Sequence, residues 1–380
     1  MKKGNTAQKA LALHKKLGGK IRIEPAAPIR NRADLALVYT PGVAAVSSYV
    51  AAHPQKAREY TGKGRMVAVV SDGSAVLGLG NIGPLGALPV MEGKCALFKS
   101  FAGVDAVPIV LDVHTADEIV AVVKAIAPSF GGINLEDIAA PQCFEIEDRL
   151  KAELDIPVMH DDQHGTAIVV VAGLLNALKV VGKRMGAAHI VIAGAGAAGT
   201  AVAKLLRIAG ARDIVILDSK GVLSTKREGL SGHKAELASW SNPREVRGGL
   251  QDALRGADAL VGVSGPGLAT AADIALMAPK AIVFALANPT PEIMPDEAKK
   301  GGAFVIATGR SDFPNQINNS LAFPGVFRGA LDNRVRAITD AMKLKAAKAI
   351  AALVPRPTRG RIVPDMFDKR VARAVARVIR

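Results

Sequence analysis

The stretch His189-Ile-Val-Ile-Ala-Gly-Ala-Gly-Ala-Ala-Gly199 joins an apolar run to an alanine-rich segment through three glycines. The apolar run is typical of a strand, and residues Ala197–Ala209 are typical of a helix. Gly194, Gly196 and Gly199 therefore lie at a strand–turn–helix junction, where the main chain can approach a pyrophosphate at the helix N-terminus. This context favours a dinucleotide site over a merely tight turn.

An acidic residue follows the next strand-like run. Ile214–Leu217 ends at Asp218, which lies 24 residues after Gly194 and suits the hydroxyls of a bound ribose. The carboxylate favours NAD because it repels a 2′-phosphate. Lys220 and Lys226 follow closely, however, and could neutralise the charge of such a phosphate. The sequence therefore predicts NAD or NADP as the cofactor and leaves the choice between them open.

A second Gly-x-Gly-x-x-Gly string occurs at Gly78-Leu79-Gly80-Asn81-Ile82-Gly83. It runs into Pro84, and the next acid at a predicted strand end, Asp112, lies 34 residues after Gly78. This spacing is too long for a simple dinucleotide unit. A structural turn, or a loop lining a site, is the favoured interpretation.

Strand-like and helix-like segments alternate on both sides of the first glycine stretch. This alternation predicts an α/β fold with parallel sheets covered by helices. The predicted strands are Met66–Val70, Ala106–Val113, Ile133–Ile138, Ile156–Met159, His189–Ala193, Ile214–Leu217, Ala259–Val263, Ala281–Ala287 and Phe304–Ala307, with helices at Leu85–Phe101, Thr115–Ala127 and Pro141–Glu153 among them.

We therefore predict three segments. Residues 1–160 form an N-terminal α/β domain, and residues 161–307 form a Rossmann-type dinucleotide-binding domain. Residues 308–380 form a C-terminal segment whose helices, from Val335 onward, pack back on the first domain.

Length and composition exclude several classes of protein. The chain has 380 residues, of which 49% are hydrophobic and 22% charged, as in ordinary globular proteins. Cys95 and Cys143 cannot form a disulfide framework, and the N-terminus lacks a secretory apolar run, so we expect a cytoplasmic protein. The apolar stretch from Gly165 to Leu178 falls short of the ~20 residues that span a membrane and predicts a buried core helix.

The formal net charge of +15 is concentrated at the two ends. Met1–Arg32 holds nine basic residues and one acid, and Arg356–Arg380 holds eight basic residues and two acids. Both ends resemble amphipathic helices, and aromatic residues make up only 4% of the chain. Solvated helix faces that steer anionic ligands are therefore favoured, and a basic nucleotide- or nucleic-acid-binding protein stays as an alternative from another class.

Paired carboxylates follow two of the predicted strands. Glu136-Asp137 and Asp161-Asp162 lie where neighbouring parallel strands end, which is the edge at which open α/β sheets bind ligands. Crowded carboxylates repel one another unless a cation joins them, and an oxygen-only set favours Mg²⁺ or Mn²⁺. Zinc held by His160 and His164 is a weaker alternative, because a strand is predicted to end inside that motif.

Six motifs resemble a known family when they are taken together. They are Leu37-Val38-Tyr39-Thr40-Pro41-Gly42-Val43, Leu77-Gly78-Leu79-Gly80-Asn81, Glu92-Gly93-Lys94, Asn134-Leu135-Glu136-Asp137, His160-Asp161-Asp162-Gln163-His164-Gly165-Thr166 and Asn318-Asn319-Ser320-Leu321-Ala322-Phe323-Pro324-Gly325. This ordered set, over about residues 20–345, is similar to that of the malic enzymes, in their short bacterial form.

The resemblance implies oxidative decarboxylation of (S)-malate to pyruvate and CO₂, with NAD(P)⁺ as oxidant and a divalent metal. It also implies a role for each matching residue: Lys94 as general base with Asp161 as its partner, Tyr39 as the acid that protonates the enolpyruvate, Asn288 and Asn319 as amides that hold malate near the nicotinamide, and Glu136, Asp137 and Asp162 as metal ligands. Lys99, five residues after Lys94, is expected to lie on another face of the helix.

One feature departs from the long malic enzymes, in which an arginine before the Leu-Gly-Leu-Gly segment binds the substrate carboxylate. Ser74-Ala75-Val76 occupies that stretch here, as in short forms, so Lys94 or main-chain amides are left to bind the second carboxylate. Malolactic conversion, or oxidation of another 2-hydroxy acid, is therefore the nearest alternative. The resemblance further implies a homodimer, for which the N-terminal helix and the Tyr39 region are the expected interface. Because the sequence ends at Arg380, we expect no phosphotransacetylase-like domain of the kind that some bacterial relatives carry.

Overall fold

The structure is a computed structural model that describes residues 3–76 and 78–380. Leu77, which begins the second glycine motif, lies outside the described residues. The first part of the chain contains helices α1 (Lys3–Leu17), α2 (Arg32–Val38), α3 (Gly42–Ala52), α4 (Ala57–Tyr60), α5 (Gly83–Ala102), α6 (Ala116–Ile126) and α7 (Gln142–Glu153), with strands β1 (Met66–Ser71), β2 (Asp105–Val110), β3 (Gly132–Leu135) and β4 (Val158–His160).

The first sheet is wholly parallel, with the strand order β2-β1-β3-β4. Its central strand β1 is buried from Val67 to Ser71, as expected for a valine-rich run covered on both faces. The chain leaves β1 in one direction to form β2 and then returns to form β3 on the other side. This reversal creates a crevice at the carboxyl ends of β1 and β3, where open α/β sheets bind ligands.

The second sheet begins after the long helix α8 (Asp161–Val181). Its strands are β5 (His189–Ala193), β6 (Asp213–Asp218), β7 (Gly221–Val222), β8 (Ala259–Gly262), β9 (Ile282–Ala285) and β10 (Val305–Thr308), and its helices are α9 (Ala197–Ile208), α10 (Gly232–Trp240), α11 (Leu250–Leu254), α12 (Ala271–Ile274) and α13 (Pro295–Lys300). The order is β10-β9-β8-β5-β6-β7, parallel except for β7. The predicted Rossmann-type α/β architecture is confirmed.

Helix α8 connects the two sheets and is largely buried. It begins at Asp161, directly after β4 and earlier than the predicted apolar stretch, and it ends before Gly182, which adopts a left-handed conformation. Asn176 in its middle donates hydrogen bonds to the carbonyls of Ala351 and Ile362, which ties α8 to the C-terminal part of the chain. The core helix predicted around residues 165–178 is confirmed.

The C-terminal helices are α14 (Phe323–Asp332), α15 (Asp340–Ala352) and α16 (Arg370–Ala376). Phe98 of α5 packs edge-on against Phe323 and Phe327 of α14, with ring centroids 4.7 and 5.5 Å apart. These aromatic contacts hold the end of the chain against the first sheet and its helices. Of the helices after Val335, which were expected to return to the first part of the chain, α16 contacts α5, whereas α15 packs against α8 and α9.

Some predicted ends are wrong. The strand expected over Ile133–Ile138 stops at Leu135, because Asp137 adopts a left-handed backbone conformation with φ of 53° and turns the chain out of the sheet. The division into 1–160, 161–307 and 308–380 stays a prediction; the first sheet lies within 1–160, and the second extends one residue beyond 307, to Thr308.

Among the residues that the structure describes, two stretches are long and apolar enough to cross a membrane by length and composition alone. One is α8, of which 72% of the most apolar window is buried inside the protein. The other runs from Arg32 to Ala52 and comprises α2 and α3, with the turn at Tyr39–Pro41 between them. No residue of α2 or α3 is buried within the chain.

Candidate active site

Three carboxylates meet at the carboxyl end of the first sheet. Glu136 and Asp137 follow β3, and Asp162 lies in the first turn of α8. One oxygen from each lies within 4.8 Å of the other two, and the main-chain N–H of Asp137 donates a hydrogen bond to Asp162 Oδ2 at 2.8 Å. Within residues 3–76 and 78–380, no other group of three or more acidic, histidine or cysteine side chains has this spacing.

The chemistry of this donor set fits a hard divalent cation. All three side chains offer carboxylate oxygen, which Mg²⁺ and Mn²⁺ prefer. Burial raises the pKa values of Glu136 and Asp162, so their ionised forms are costly without a compensating charge. Asn134 donates to Glu136 Oε2 at 2.9 Å, which leaves the orientation of that carboxylate fixed.

The ammonium group of Lys94 lies against the same carboxylates. Lys94, on α5, is only 7% exposed, and its Nζ donates to Glu136 Oε1 at 2.6 Å and to Asp161 Oδ2. Phe323 covers it, with Nζ 4.2 Å from the ring centroid. Burial lowers the pKa of Lys94, but the neighbouring carboxylates outweigh this effect and hold the pKa above its ordinary value.

Asp161 faces the lysine rather than the three-carboxylate group. Burial raises the pKa of Asp161 to about 7, against the opposing effect of Lys94. Gly165 lies one turn further along α8, and a Cβ on it would collide with Asp161 Oδ1. The same Cβ would lie 3.2 Å from the Cβ of Asn319. Gly165 is therefore required for this carboxylate position, and Asn319 borders it.

The two histidines of the zinc alternative point elsewhere. His164 Nε2 lies 2.8 Å from Glu147 Oε2, and His160 is fully buried, with Nε2 3.8 Å from Asp162 Oδ2. Burial lowers the pKa values of both, which keeps the rings neutral at pH 7. Neither belongs to the three-carboxylate group: Glu147 contacts the His164 ring and accepts from the main-chain N–H of His160.

The first glycine stretch forms the turn that a dinucleotide requires. A Cβ on Gly194 would collide with the carbonyl of Val263, and one on Gly199 would collide with the carbonyl of Gly194, so the turn closes tightly on β8 and α9. A Cβ on Gly196 would meet nothing within 4 Å, which leaves open space at the N-terminus of α9. A pyrophosphate fits this opening because the free N–H groups of the helix face it.

A crevice of about 660 Å³ extends from this turn. Gly194, Gly196 and Asp218 line it from the second sheet, and Ala140 and Pro141, which closely follow the carboxylates Glu136 and Asp137, line it from the first. The second glycine loop also reaches across, because a Cβ on Gly78 would collide with the carbonyl of Asn288. The carboxylate group and the crevice are therefore adjacent.

Asp218 lies at the end of β6 with its carboxylate already paired. Oδ2 accepts from Arg227 Nη2 and from Lys234 Nζ, each at 2.7 Å, and Oδ1 accepts from the main-chain N–H of Lys220. Burial alone would raise the pKa of Asp218, but these hydrogen bonds hold it well below its ordinary value. Lys226, which was expected with Lys220 to neutralise a 2′-phosphate, pairs with Glu245.

Two predicted residues lie apart from this group. Tyr39 lies in the turn between α2 and α3 with 66% of its surface exposed, and within the described residues no hydrogen bond joins it to Lys94. Lys99 is exposed and pairs with Asp105, so its expected place away from Lys94 is confirmed.

The sequence matches two family profiles that together cover most of the chain. Residues 18–151 match the malic enzyme N-terminal domain, and residues 163–379 match the malic enzyme NAD-binding domain. The chain belongs to the malic enzyme family. The resemblance drawn from the six motifs is thereby confirmed.

Malic enzymes similar to this chain are known in sequence and in structure. The bifunctional malic/malolactic enzyme of Bacillus subtilis is 54% identical over 98% of this chain and 92% of its own length. The NADP-dependent malic enzyme of Halomonas elongata is 50% identical over 95% of this chain and 86% of its own length. The crystal structure of the NAD-dependent malic enzyme of Thermotoga maritima superposes with a TM-score of 0.94 at 49% identity, covering 97% of this chain and 98% of that chain.

Sequence reasoning missed several residues of this malic enzyme site. Phe323 and Asn134 belong to motifs but carry no predicted role, yet Phe323 covers Lys94 and Asn134 orients Glu136. Arg227 and Lys234 are not predicted, because only the folding of the segment after β6, including the start of α10, brings them to Asp218. The acid and the two cations are 9 and 16 residues apart, a spacing with no periodic signal.

Replacing Asp162 tests the three-carboxylate group as a metal site. Asp162→Asn keeps the size of the side chain and removes one charged oxygen ligand, so we expect the Kd for Mn²⁺ to rise at least tenfold. Mn²⁺ titration followed by electron paramagnetic resonance measures this directly. Asp155→Asn, an exposed carboxylate that pairs with Arg336, should leave the affinity unchanged. Equal affinities in the two variants would contradict the ligand assignment.

Proposed function

We propose that this chain catalyses the oxidative decarboxylation of (S)-malate. Malate and NAD(P)⁺ give pyruvate, CO₂ and NAD(P)H. The observation that carries this proposal is the buried Lys94 ammonium, held between Asp161 and Glu136 beside a group of carboxylates suited to a divalent cation and next to the dinucleotide crevice. The names of the relatives support the same reaction.

The residues divide into those that bind a cation and those that move protons. Glu136, Asp137 and Asp162 would hold Mg²⁺ or Mn²⁺, which supplies charge stabilisation for the substrate oxygens when it is bound. With the charges of Glu136 and Asp162 balanced in this way, two of the three carboxylates that raise the pKa of Lys94 are compensated, and burial, which lowers it, is opposed mainly by Asp161. The neutral amine then accepts the proton of the C2 hydroxyl as hydride leaves C2 for the nicotinamide.

Asp161 holds Lys94 in place during this exchange. Its hydrogen bond to Nζ fixes the amine and stabilises the ammonium that forms. Asn319, which borders Asp161, and Asn288, whose carbonyl lies against Gly78, are proposed to bind malate. After CO₂ leaves, C3 of the enolpyruvate requires a proton, and Tyr39 is proposed as its source.

Replacing Lys94 tests the assigned base. Lys94→Ala should lower kcat by about 10²–10⁴-fold, the usual contribution of general acid–base catalysis, while the Kd for NAD⁺ stays near normal. Steady-state NAD(P)H formation and nucleotide binding by fluorescence give the two values. Lys99→Ala, on the same helix, removes only an exposed ion pair with Asp105 and should keep full turnover. Near-normal turnover in Lys94→Ala would refute the assignment.

A second reaction is favoured by one similarity. The Bacillus subtilis relative, which is 54% identical, is named for malolactic as well as malic activity. Retention of NADH in the crevice after oxidation and decarboxylation would allow pyruvate to be reduced to lactate. Lactate formed from malate without net NADH formation identifies this reaction.

We infer that the site accepts both NAD⁺ and NADP⁺. An unpaired acid after β6 repels a 2′-phosphate, but the Asp218 carboxylate is compensated by two cations, Arg227 and Lys234. Each of these cations can also donate a charge-assisted hydrogen bond to a phosphate. The ribose end of the crevice therefore has a carboxylate that can bind ribose hydroxyls and two cations that can bind a 2′-phosphate.

Replacing these two cations should lower the activity with NADP⁺ more than the activity with NAD⁺. Arg227→Gln combined with Lys234→Gln leaves Asp218 uncompensated, so we expect kcat/KM for NADP⁺ to fall at least tenfold and that for NAD⁺ to change less than threefold. Lys226→Gln, which breaks only the pair with Glu245, serves as the matched control. A parallel loss for both cofactors would contradict this assignment.

We further propose a homodimer formed through α2 and α3. No residue of either helix is buried, and Leu37 is 78% exposed among other apolar side chains, which are Leu35, Val38, Tyr39, Val46 and Tyr49. A contiguous apolar surface of this kind is typical of an interface between proteins. Tyr39 lies within it, so the same association would enclose its phenol.

A charge placed in this surface tests the dimer. Leu37→Glu should shift the sedimentation coefficient from that of a dimer to that of a monomer, because an unpaired carboxylate is costly in a dry interface. Met294→Glu, an exposed apolar position before α13, should leave it unchanged. A wild-type protein that sediments as a monomer would refute the proposal.

We place the protein in the cytoplasm. Both cysteines are free and buried, which is compatible with a reducing compartment, and NAD(P)⁺ is available there. A nucleic-acid partner is not favoured, because the dinucleotide crevice and the carboxylate group are the features of an enzyme that acts on small molecules.

A further inference from the structure

A second concave surface lies away from the crevice, where the ends of α5, α14 and α16 meet. It encloses about 680 Å³ and is lined by Ser100–Ala102 of α5, by Arg328, Asp332 and Asn333 of α14, and by residues of the final helix. We call it the C-terminal groove. Its volume falls in the range of sites that bind small molecules.

Helix α16 and the residues that flank it supply most of the positive charge in this groove. Val371 and Val375 of the helix, and Ile379 after it, are buried and fix this segment on the core. Arg373 of α16, Lys369 directly before the helix, and Arg377 and Arg380 after it all line the groove. Four of the eight basic residues of Arg356–Arg380 thus line one groove.

The charge in the groove is poorly compensated. Arg328 pairs with Asp332, and Asp332 is the only carboxylate side chain in the lining. Lys369, Arg373, Arg377 and Arg380 form no ion pair within the described residues. Arg370, on the same helix but outside the lining, does pair, with Asp368 at 2.6 Å. Even with the α-carboxylate of Arg380 counted, five cations face two anions.

An aromatic pair stands at the edge of the groove. Phe101, which lines it, meets Phe367 edge-on with ring centroids 6.1 Å apart, and 79% of Phe367 is exposed. We propose that the C-terminal groove binds a polyphosphate group. Arginine guanidinium groups match phosphate oxygens in pairs, and an exposed ring beside them suits a base attached to the same phosphates.

Calorimetric titration of the full chain tests this proposal. The protein is saturated with NAD⁺, so that the dinucleotide crevice is occupied, and the same Mg²⁺ concentration is kept in cell and syringe. Inorganic tripolyphosphate should bind saturably at one site per chain, with an affinity that falls as salt rises. Arg373→Gln combined with Arg377→Gln should raise its Kd at least tenfold, because two charge-assisted contacts are lost.

The matched control is Arg370→Gln together with Lys348→Gln, which removes two positive charges outside the groove lining and should change the Kd less than twofold. Both positions of the test variant are exposed, and an unchanged thermal midpoint verifies its fold. Absence of saturable binding, or an equal loss in control and test variants, overturns the proposal.

A parallel titration with ATP identifies the source of the phosphates. Tighter binding of ATP than of tripolyphosphate, lost in Phe367→Ala, supports a nucleoside triphosphate as the occupant. Equal affinity supports the phosphate chain alone. Binding of duplex DNA without any binding of tripolyphosphate refutes a small-molecule site and favours a nucleic-acid surface instead.

Discussion

The buried charge around Lys94 is the constraint on which this structure depends. An ammonium group and several carboxylates are withdrawn from water, and each would be unstable in the protein interior without the others. Removing one partner of such a buried pair typically costs about 3–5 kcal/mol. The three elements that carry them, α5, β3 and α8, must therefore keep their relative positions, and Gly165, Phe323 and Asn134 are the residues that hold the arrangement.

The topology explains why this charge lies beside the cofactor crevice. Parallel strands end at one edge, and the chain reverses its direction across the sheet at β1 and β3 in the first sheet and at β5 and β8 in the second. Each reversal opens a crevice at that edge. Helix α8 begins in the first crevice and then packs against α9, whose N-terminus faces the second. One helix thus sets the separation of the two half-sites.

Much of this arrangement was predictable from local sequence. Strand ends with paired acids, and a glycine turn between a strand and a helix, are patterns a few residues long, and they predict that Glu136 and Asp162 lie at one edge of a sheet and that Gly194 follows a strand. The predicted strand Ile133–Ile138 runs too far, because a left-handed Asp137 gives no periodic signal. The pairing of Asp218 with Arg227 and Lys234, and the exposure of Tyr39, depend on how distant segments fold and on what covers them, which a single sequence does not encode locally.

The pairing at Asp218 has a consequence for redesign. The two cations belong to the loop after β6 and to α10, remote in sequence from the buried elements that carry Lys94 and its carboxylates. If Asp218, Arg227 and Lys234 select the cofactor as proposed, substitutions in this short stretch change the cofactor preference without replacing any residue of the buried group around Lys94.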